Sequence, residues 1–289
     1  MSHGIKRVVV IGARGFIGSH ASELMRKKGI FVTQYDLVDG YDILDFERLT
    51  KVVAEVKPSW IVHLAGQVFL QPSLDDPQND AKTNIVGMIN VLEVALKYGC
   101  GVIFSSSGAV YGNNYQFPEP VSPYGVSKLT AERYCMLYKK LYNLSTVVFR
   151  FSSIYGFGRK KTSVNLILDK IMKDETVQVT GDGNQTRDFT YVSDVAEALC
   201  MAVENKFPSG QDAIYDIGTG ITTTLNDLIM CIGLLLKKKP KIEHAPANAA
   251  DPKRNALNVS KAEMFGFKAK VSLTAGLKKL IDEETKCKK

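Results

Sequence analysis

Short apolar runs rich in β-branched residues alternate, through the first half of the chain, with longer stretches whose apolar positions recur every three or four residues. The run KRVVVIG is apolar to its closing glycine, as expected of a strand buried on both faces. SHASELMRKKG then has helical spacing of Ala21, Leu24 and Met25, basic residues late, and Gly29 as terminator. IFVTQYD reads as a strand, FERLTKVVAEVK as a helix stopped by Pro58, and WIVHLAG as a strand. NIVGMINVLEVALKYG is a predicted helix, GVIFSSS a strand, SPYGVSKLTAERYCMLYKKLY a helix and STVVFRFSSIYG a strand. Strands and helices alternating at this spacing predict βαβ units, an α/β fold built on a doubly wound parallel sheet. After Gly158 the alternation loses its regularity. Residues 1–157, with a return segment at about 186–219, are expected to form the main domain. Residues 158–185 and 220–289 are expected to form a smaller lobe over the carboxyl ends of the strands, where such sheets bind ligands.

Composition narrows the class. The chain has 289 residues and is 45% hydrophobic, enough for a substantial core. The apolar run near its start is too short for a signal peptide, and LIMCIGLLL falls well below the roughly 20 residues of a membrane span. Five cysteines, Cys100, Cys135, Cys200, Cys231 and Cys287, are scattered without metal-ligand spacing, which fits reduced thiols in a cytoplasm. Four unclustered histidines give no ground for a metal site. The formal charge of +7 comes largely from short lysine groups with few aromatics between them. That is a solvated basic surface, suited to an anionic small molecule rather than to nucleic acid.

Between the first strand and helix stands Gly12-Ala13-Arg14-Gly15-Phe16-Ile17-Gly18. Glycine is needed where a turn is tight, where backbone must approach a pyrophosphate, and where helix packs on strand. The following helix directs its positive end at the phosphates. Asp36 ends the second strand, where a carboxylate accepts the ribose hydroxyls of NAD and repels the additional phosphate of NADP. Arg14 pulls toward the 2′-phosphate, but Asp36 decides for NAD. Farther on, VSPYGVSKLTAE sets Tyr124 and Lys128 four positions apart at a helix start, so both head groups share one face. A cation there favours the phenolate, and a phenolate is a base.

The Tyr-x-x-x-Lys pair, this glycine turn and SSSGAVYG together resemble the extended short-chain dehydrogenases/reductases, with their Rossmann-like sheet. More narrowly, the chain resembles their nucleotide-sugar epimerases and dehydratases, of which UDP-galactose 4-epimerase is the best-known relative. The likeness runs almost the full chain and in the family's order: GARGFIGSH, DILD, HLAGQV, NIVGMINVLE, FSSSGAVYG, SPYGVSK, FRFSSIYG, GDGNQTRDFTYVSDVAEA and YDIGTG. The resemblance implies that Gly12, Gly15, Phe16, Ile17, Gly18 and Asp36 hold NAD and that Asp42 and Ile43 contact its adenine. Leu64, Ala65 and Gly66 line its diphosphate and ribose, Asn84 lies behind the nicotinamide, and Ser107, Tyr124 and Lys128 are catalytic. It also implies that Ser153, Asn165, Val179, Arg187 and Asp251 approach the nucleotide sugar, with Arg187 on its diphosphate. Similar proteins dimerise through the helices after Asn84 and around Tyr124, so a homodimer is expected.

Free tyrosine, with a pKa near 10, is protonated at neutral pH; bringing it to about 6 or 7 requires roughly 4 to 5 kcal/mol of preference for the charged form. Lys128 and the cationic nicotinamide would supply that, with Ser107 sharing the proton. For 4-epimerisation a hydride leaves C4 of the sugar, the flat 4-keto sugar turns over, and the hydride returns to the opposite face. Dehydratases of the family carry an Asp-Glu pair where this chain has Gly108 and Ala109, so 4,6-dehydration is disfavoured. Reductases usually prefer NADP, which Asp36 disfavours. Two departures stand out: Ser153 replaces an asparagine of the family, and Asn248 stands where a late arginine precedes Asp251, with Lys253 or Arg254 as substitutes. The expected function is NAD-dependent 4-epimerisation of a nucleotide-diphosphate sugar, UDP-linked and acting on glucose/galactose or their N-acetyl forms. The alternatives are a nucleotide-sugar ketoreductase, an epimerase at another carbon, and a NAD-binding regulator without turnover.

Overall fold

The computed structural model describes residues 6–114, 116–158, 162–210, 212–247, 253–255 and 257–287. In chain order the strands are β1 (Arg7–Ile11), β2 (Phe31–Tyr35), β3 (Trp60–His63), β4 (Gly101–Ser107), β5 (Thr146–Phe151) and β6 (Ser153–Tyr155). They continue with β7 (Thr176–Thr180), β8 (Thr186–Tyr191), β9 (Ile214–Ile217), β10 (Thr222–Thr224), β11 (Lys241–Ala245) and β12 (Arg254–Asn255). Six of these form one sheet in the order β2-β1-β3-β4-β5-β9, and every pairing in it is parallel. The order turns back between β1 and β3, the crevice where such sheets place ligands.

Both faces of this sheet are covered, which is why its strands read as continuous apolar runs rather than alternating ones. Val8 and Val10 face a core with Ala21, Met25 and the helix Val192–Val203, while Val9 and Ile11 face one with Leu49, Val53 and the helix Gly87–Tyr98. Each fully buried valine or isoleucine contributes about 1.5–3 kcal/mol. The smaller sheets are β10-β8-β12, to which β6 adds through β8, and the parallel pair β11-β7.

Two predicted elements differ from those observed. STVVFRFSSIYG is two strands: the Ser152 amide donates to the Ile217 carbonyl at 3.1 Å, after which β6 leaves the main sheet and pairs with β8. Apolar periodicity does not register such a change of partner. The predicted helix NIVGMINVLEVALKYG is preceded by a helical turn at Pro77–Ala81 and a wide π turn at Lys82–Val86, and only then runs as Gly87–Tyr98. Its signal was Asp76-Pro77: the Asp76 side chain accepts from the Asn79 amide at 3.0 Å, and proline fits the first helical position.

Candidate active site

Two clefts open at the carboxyl edge of the six-stranded sheet and share Ile17, Leu64 and Val68. The larger, about 850 Å³, is lined by the glycine turn, Asp36, Asp42, Ile43, Leu64, Ala65 and Gly66. The smaller, about 250 Å³, is lined by Ser105, Ser106, Ser107, Tyr124, Ser152, Ser153, Thr162 and Ser163 together with apolar side chains.

The larger cleft has the chemistry of a dinucleotide cradle. Gly12 follows the end of β1 with φ +81°, and a Cβ on it would lie 2.7 Å from the Ala65 nitrogen. A Cβ on Gly18 would lie 2.0 Å from the Gly12 carbonyl oxygen, so backbone can pass there only without side chains. The helix Phe16–Lys27 starts at Gly15 with no side-chain cap, which leaves its first amides to an anion. Asp36 closes the far side, its carboxylate accepting from the Arg14 amide at 2.8 Å and the Val38 amide at 3.1 Å. The Arg14 guanidinium is taken up by Asp39, at 2.8 and 2.9 Å, so the pull it was expected to exert toward a 2′-phosphate is countered by a second carboxylate.

The smaller cleft is shaped by a helix start. Ser122 caps the helix Pro123–Tyr142 by accepting from the Gly125 amide at 3.1 Å, and Pro123 occupies the first helical position. Tyr124 therefore emerges at the mouth of the helix, beside the end of β4 that carries Ser107. The Ser107 hydroxyl accepts from the Ala109 amide at 3.1 Å, which holds it at the start of a turn over Gly108–Tyr111. Lys128, one turn beyond Tyr124, is only 2% exposed. Its ammonium donates to the Ser105 carbonyl at 3.0 Å and lies 5.0 Å above the Phe104 ring. Burial pulls it down to about 8, with Asp80 and then Glu132 pulling the other way.

Of the other expected site residues, Asn84 is buried; its side chain accepts from the Gln67 amide at 2.9 Å and donates toward Asp80, Ser127 and the Gln67 carbonyl. Ser153 lines the smaller cleft. Asn165 is buried, its amide nitrogen donating to the Gly156 carbonyl at 3.4 Å and its oxygen accepting from Thr162. Val179 lies in β7, fully within the core, opposite His244 of β11. Arg187 lies in β8, its guanidinium donating to the Thr186 carbonyl at 2.8 Å. Asp251 and Asn248 lie outside the described residues. The Lys253 amide donates to the Asn113 side chain at 2.9 Å.

A buried polar cluster behind β4 has no counterpart among the expected site residues. Arg150 grips both oxygens of Glu132, at 2.9 and 2.6 Å, and donates to the Tyr111 hydroxyl at 2.7 Å. Ser106 donates to Glu132, and Tyr111 donates to Asp216 at 3.0 Å. Glu132 continues the Tyr124–Lys128 stripe by one more turn of four, and that spacing was its legible signal. Among the described residues, no cluster of three or more His, Cys, Asp or Glu could hold a metal ion, and no helix is long and apolar enough to cross a membrane.

The sequence profile of the NAD dependent epimerase/dehydratase family matches residues 8–218. The chain belongs to that family. Its fold is close to the UDP-glucose 4-epimerase of Thermotoga maritima, solved with UDP-glucose: TM-score 0.91 at 30% identity, covering 98% of this chain and 100% of that one. The UDP-glucose 4-epimerase of Thermus thermophilus, solved with NAD, gives 0.88 at 29% identity, over 96% and 98%. A UDP-glucuronate 4-epimerase of Thermodesulfobacterium geofontis is 29% identical, over 95% of this chain and 94% of its own. The family places the protein among NAD-dependent enzymes like the UDP-sugar 4-epimerases, and its relatives differ in the sugar they are named for.

Proposed function

We propose that the protein is a NAD-dependent 4-epimerase of UDP-glucose and UDP-galactose, with Ser107, Tyr124 and Lys128 as its catalytic residues. The observation that carries this reading is that Ser107 and Tyr124 line one small cleft, that this cleft adjoins the dinucleotide cradle, and that Lys128 is buried beside both. In this reading residues 1–157 and the segment 186–219 hold the cofactor, while 158–185 and 220–289 hold the nucleotide sugar. The cleft's lining, which includes seven serine and threonine residues, suits a neutral sugar that must turn over between two faces.

Bound in the cradle, NAD supplies the acceptor and later the donor of hydride. Tyr124 takes the proton of the sugar's C4 hydroxyl, and Ser107 holds that oxygen and shares the proton. Lys128 keeps its positive charge close to the phenol and favours the phenolate. Gly108 and Ala109 offer no acid to expel a C6 hydroxyl, which supports epimerisation over dehydration. The apolar side chains exposed along the helix Pro123–Tyr142, among them Val126, Leu137 and Leu141, support a homodimer through this face. Scattered thiols support a cytoplasmic setting.

Purified protein incubated with UDP-glucose, UDP-galactose, their N-acetyl forms and UDP-glucuronate, with products separated by chromatography, tests the substrate. Interconversion of the first two is expected; exclusive turnover of UDP-glucuronate would overturn the sugar assignment. Tyr124→Phe should lower kcat by about a thousandfold while NAD stays bound, and unchanged turnover would overturn the mechanism.

A further inference from the structure

Lys128 is an ammonium in a place where water does not reach it. A buried lysine ordinarily sheds its proton, since burial penalises the charged form. The proposed chemistry needs the opposite. Charged groups act on Lys128 from several elements, Glu132 on its own helix, His63 on β3 and Asp80 in the turn Pro77–Ala81, with Tyr124 one helical turn before it. Their contributions are unequal in kind.

Glu132 is fully buried but already neutralised, because Arg150 binds both its oxygens and Ser106 adds a third donor. His63 is neutral, held down to about 3 by burial and by Lys128 itself, and its ring stacks on Phe104 at 5.8 Å. Asp80 differs. It is 1% exposed, and Lys128 is the charged group that acts on it. Burial raises its carboxyl, while the Ser127 hydroxyl and Lys128 work in the opposite direction and favour the anion. The Asn84 amide nitrogen reaches Asp80 at 3.2 Å and Ser127 at 3.0 Å, so one side chain fixes the acid against the residue next to the lysine. The lysine end is equally fixed: a Cβ on Gly66 would lie 2.7 Å from the Asn84 oxygen and 3.4 Å from the Lys128 ammonium.

We propose that Asp80 is a positioning residue for the reaction: a buried counter-charge, clamped by Asn84 and Ser127, that keeps the Lys128 ammonium charged inside the fold. It touches neither cleft; it acts through Lys128. The Asn84 clamp thereby gains a second task, since the side chain that orders the backbone at Gln67 also holds the acid.

The proposal rests on the catalytic reading of Lys128, and two measurements separate the two. In the first, lysine side chains are labelled with ¹⁵N and Lys128 is titrated by NMR in the full-length protein, its signal assigned by loss in Lys128→Met. The wild type should titrate near 8, and Asp80→Asn should move that value down by about one unit. Asp80→Asn preserves size and an oxygen for Asn84; should it not fold, Asp80→Ser is expected to give the same direction. A Lys128 titration unchanged in the folded variant overturns the proposal, whether or not the protein turns over a UDP-sugar. In the second, the alkaline limb of kcat for UDP-galactose should move down by the same amount, an about fivefold loss at pH 8 with little at pH 6. A uniform loss at all pH values would mark Asp80 as merely structural and overturn the assignment.

Discussion

The six-stranded half and the lobe above it are built on different terms. The half that forms the cradle relies on backbone passing where no side chain fits, as at Gly12 and Gly18, and on charges sealed in the interior, as at Glu132 and Arg150. The lobe relies on short strands: β10 has three residues and β12 two, and β11 is exposed along most of its length. Each local error in the first half meets rigid neighbours. In the lobe's short edge strands it meets solvent. The contrast teaches where a sequence change costs most: at the glycine turn and the sealed charges rather than along the short exposed strands.

Glu132→Gln breaks the buried pair with Arg150 and should cost about 4 kcal/mol in urea unfolding, since an uncompensated cation remains inside. A loss below about 1 kcal/mol would remove the sealed charge from the comparison. Asp216 lies at the seam, on β9, reached by Tyr111 and by the Asn258 amide at 3.1 Å. Burial pushes it up to about 6. The folded protein then retains a proton that the unfolded chain gives up near pH 4, so this group's effect on stability becomes less favourable as pH rises from about 4 to 6. Relative to Asp216→Asn, the wild type should lose about 3 kcal/mol across that window, read from denaturation at several pH values. Gly18→Ala drives a methyl into the Gly12 carbonyl and should weaken NAD binding roughly thirtyfold, about 2 kcal/mol, by calorimetric titration. Thr224→Ala removes the lobe's cap on the helix Leu225–Leu236, where Thr224 accepts from the Asp227 amide at 3.0 Å. It should cost about 1 kcal/mol and leave NAD affinity unchanged.

The same contrast governs what could be read from the chain. The parallel sheet was legible because burial on both faces writes itself as unbroken apolar runs, and the glycine turn because its constraints admit one residue type. The β5–β6 break was not legible, since Ser152 changes sheet without changing periodicity. Of the candidate site, Tyr124 and Lys128 were legible through one helix spacing, and Ser107 through the family likeness. Asp80 was hidden in DDPQNDAKT, a stretch polar enough to read as loop, and its importance depends on a neighbour forty-eight positions away that only folding supplies. Arg187 and Val179 were drawn from likeness alone, and the fold sets one beside a backbone carbonyl and the other deep in the apolar core.

The wide turn at Lys82–Val86 is a residue of slack with a purpose. Winding the same residues as ordinary α-helix, with none removed, would swing everything before them by about 100° relative to the helix Gly87–Tyr98. Asn84 could no longer face Gln67 and Asp80 together while the apolar stripe of that helix stayed on the sheet. The irregular turn is what lets one segment serve both the sheet and the polar cluster at Asn84.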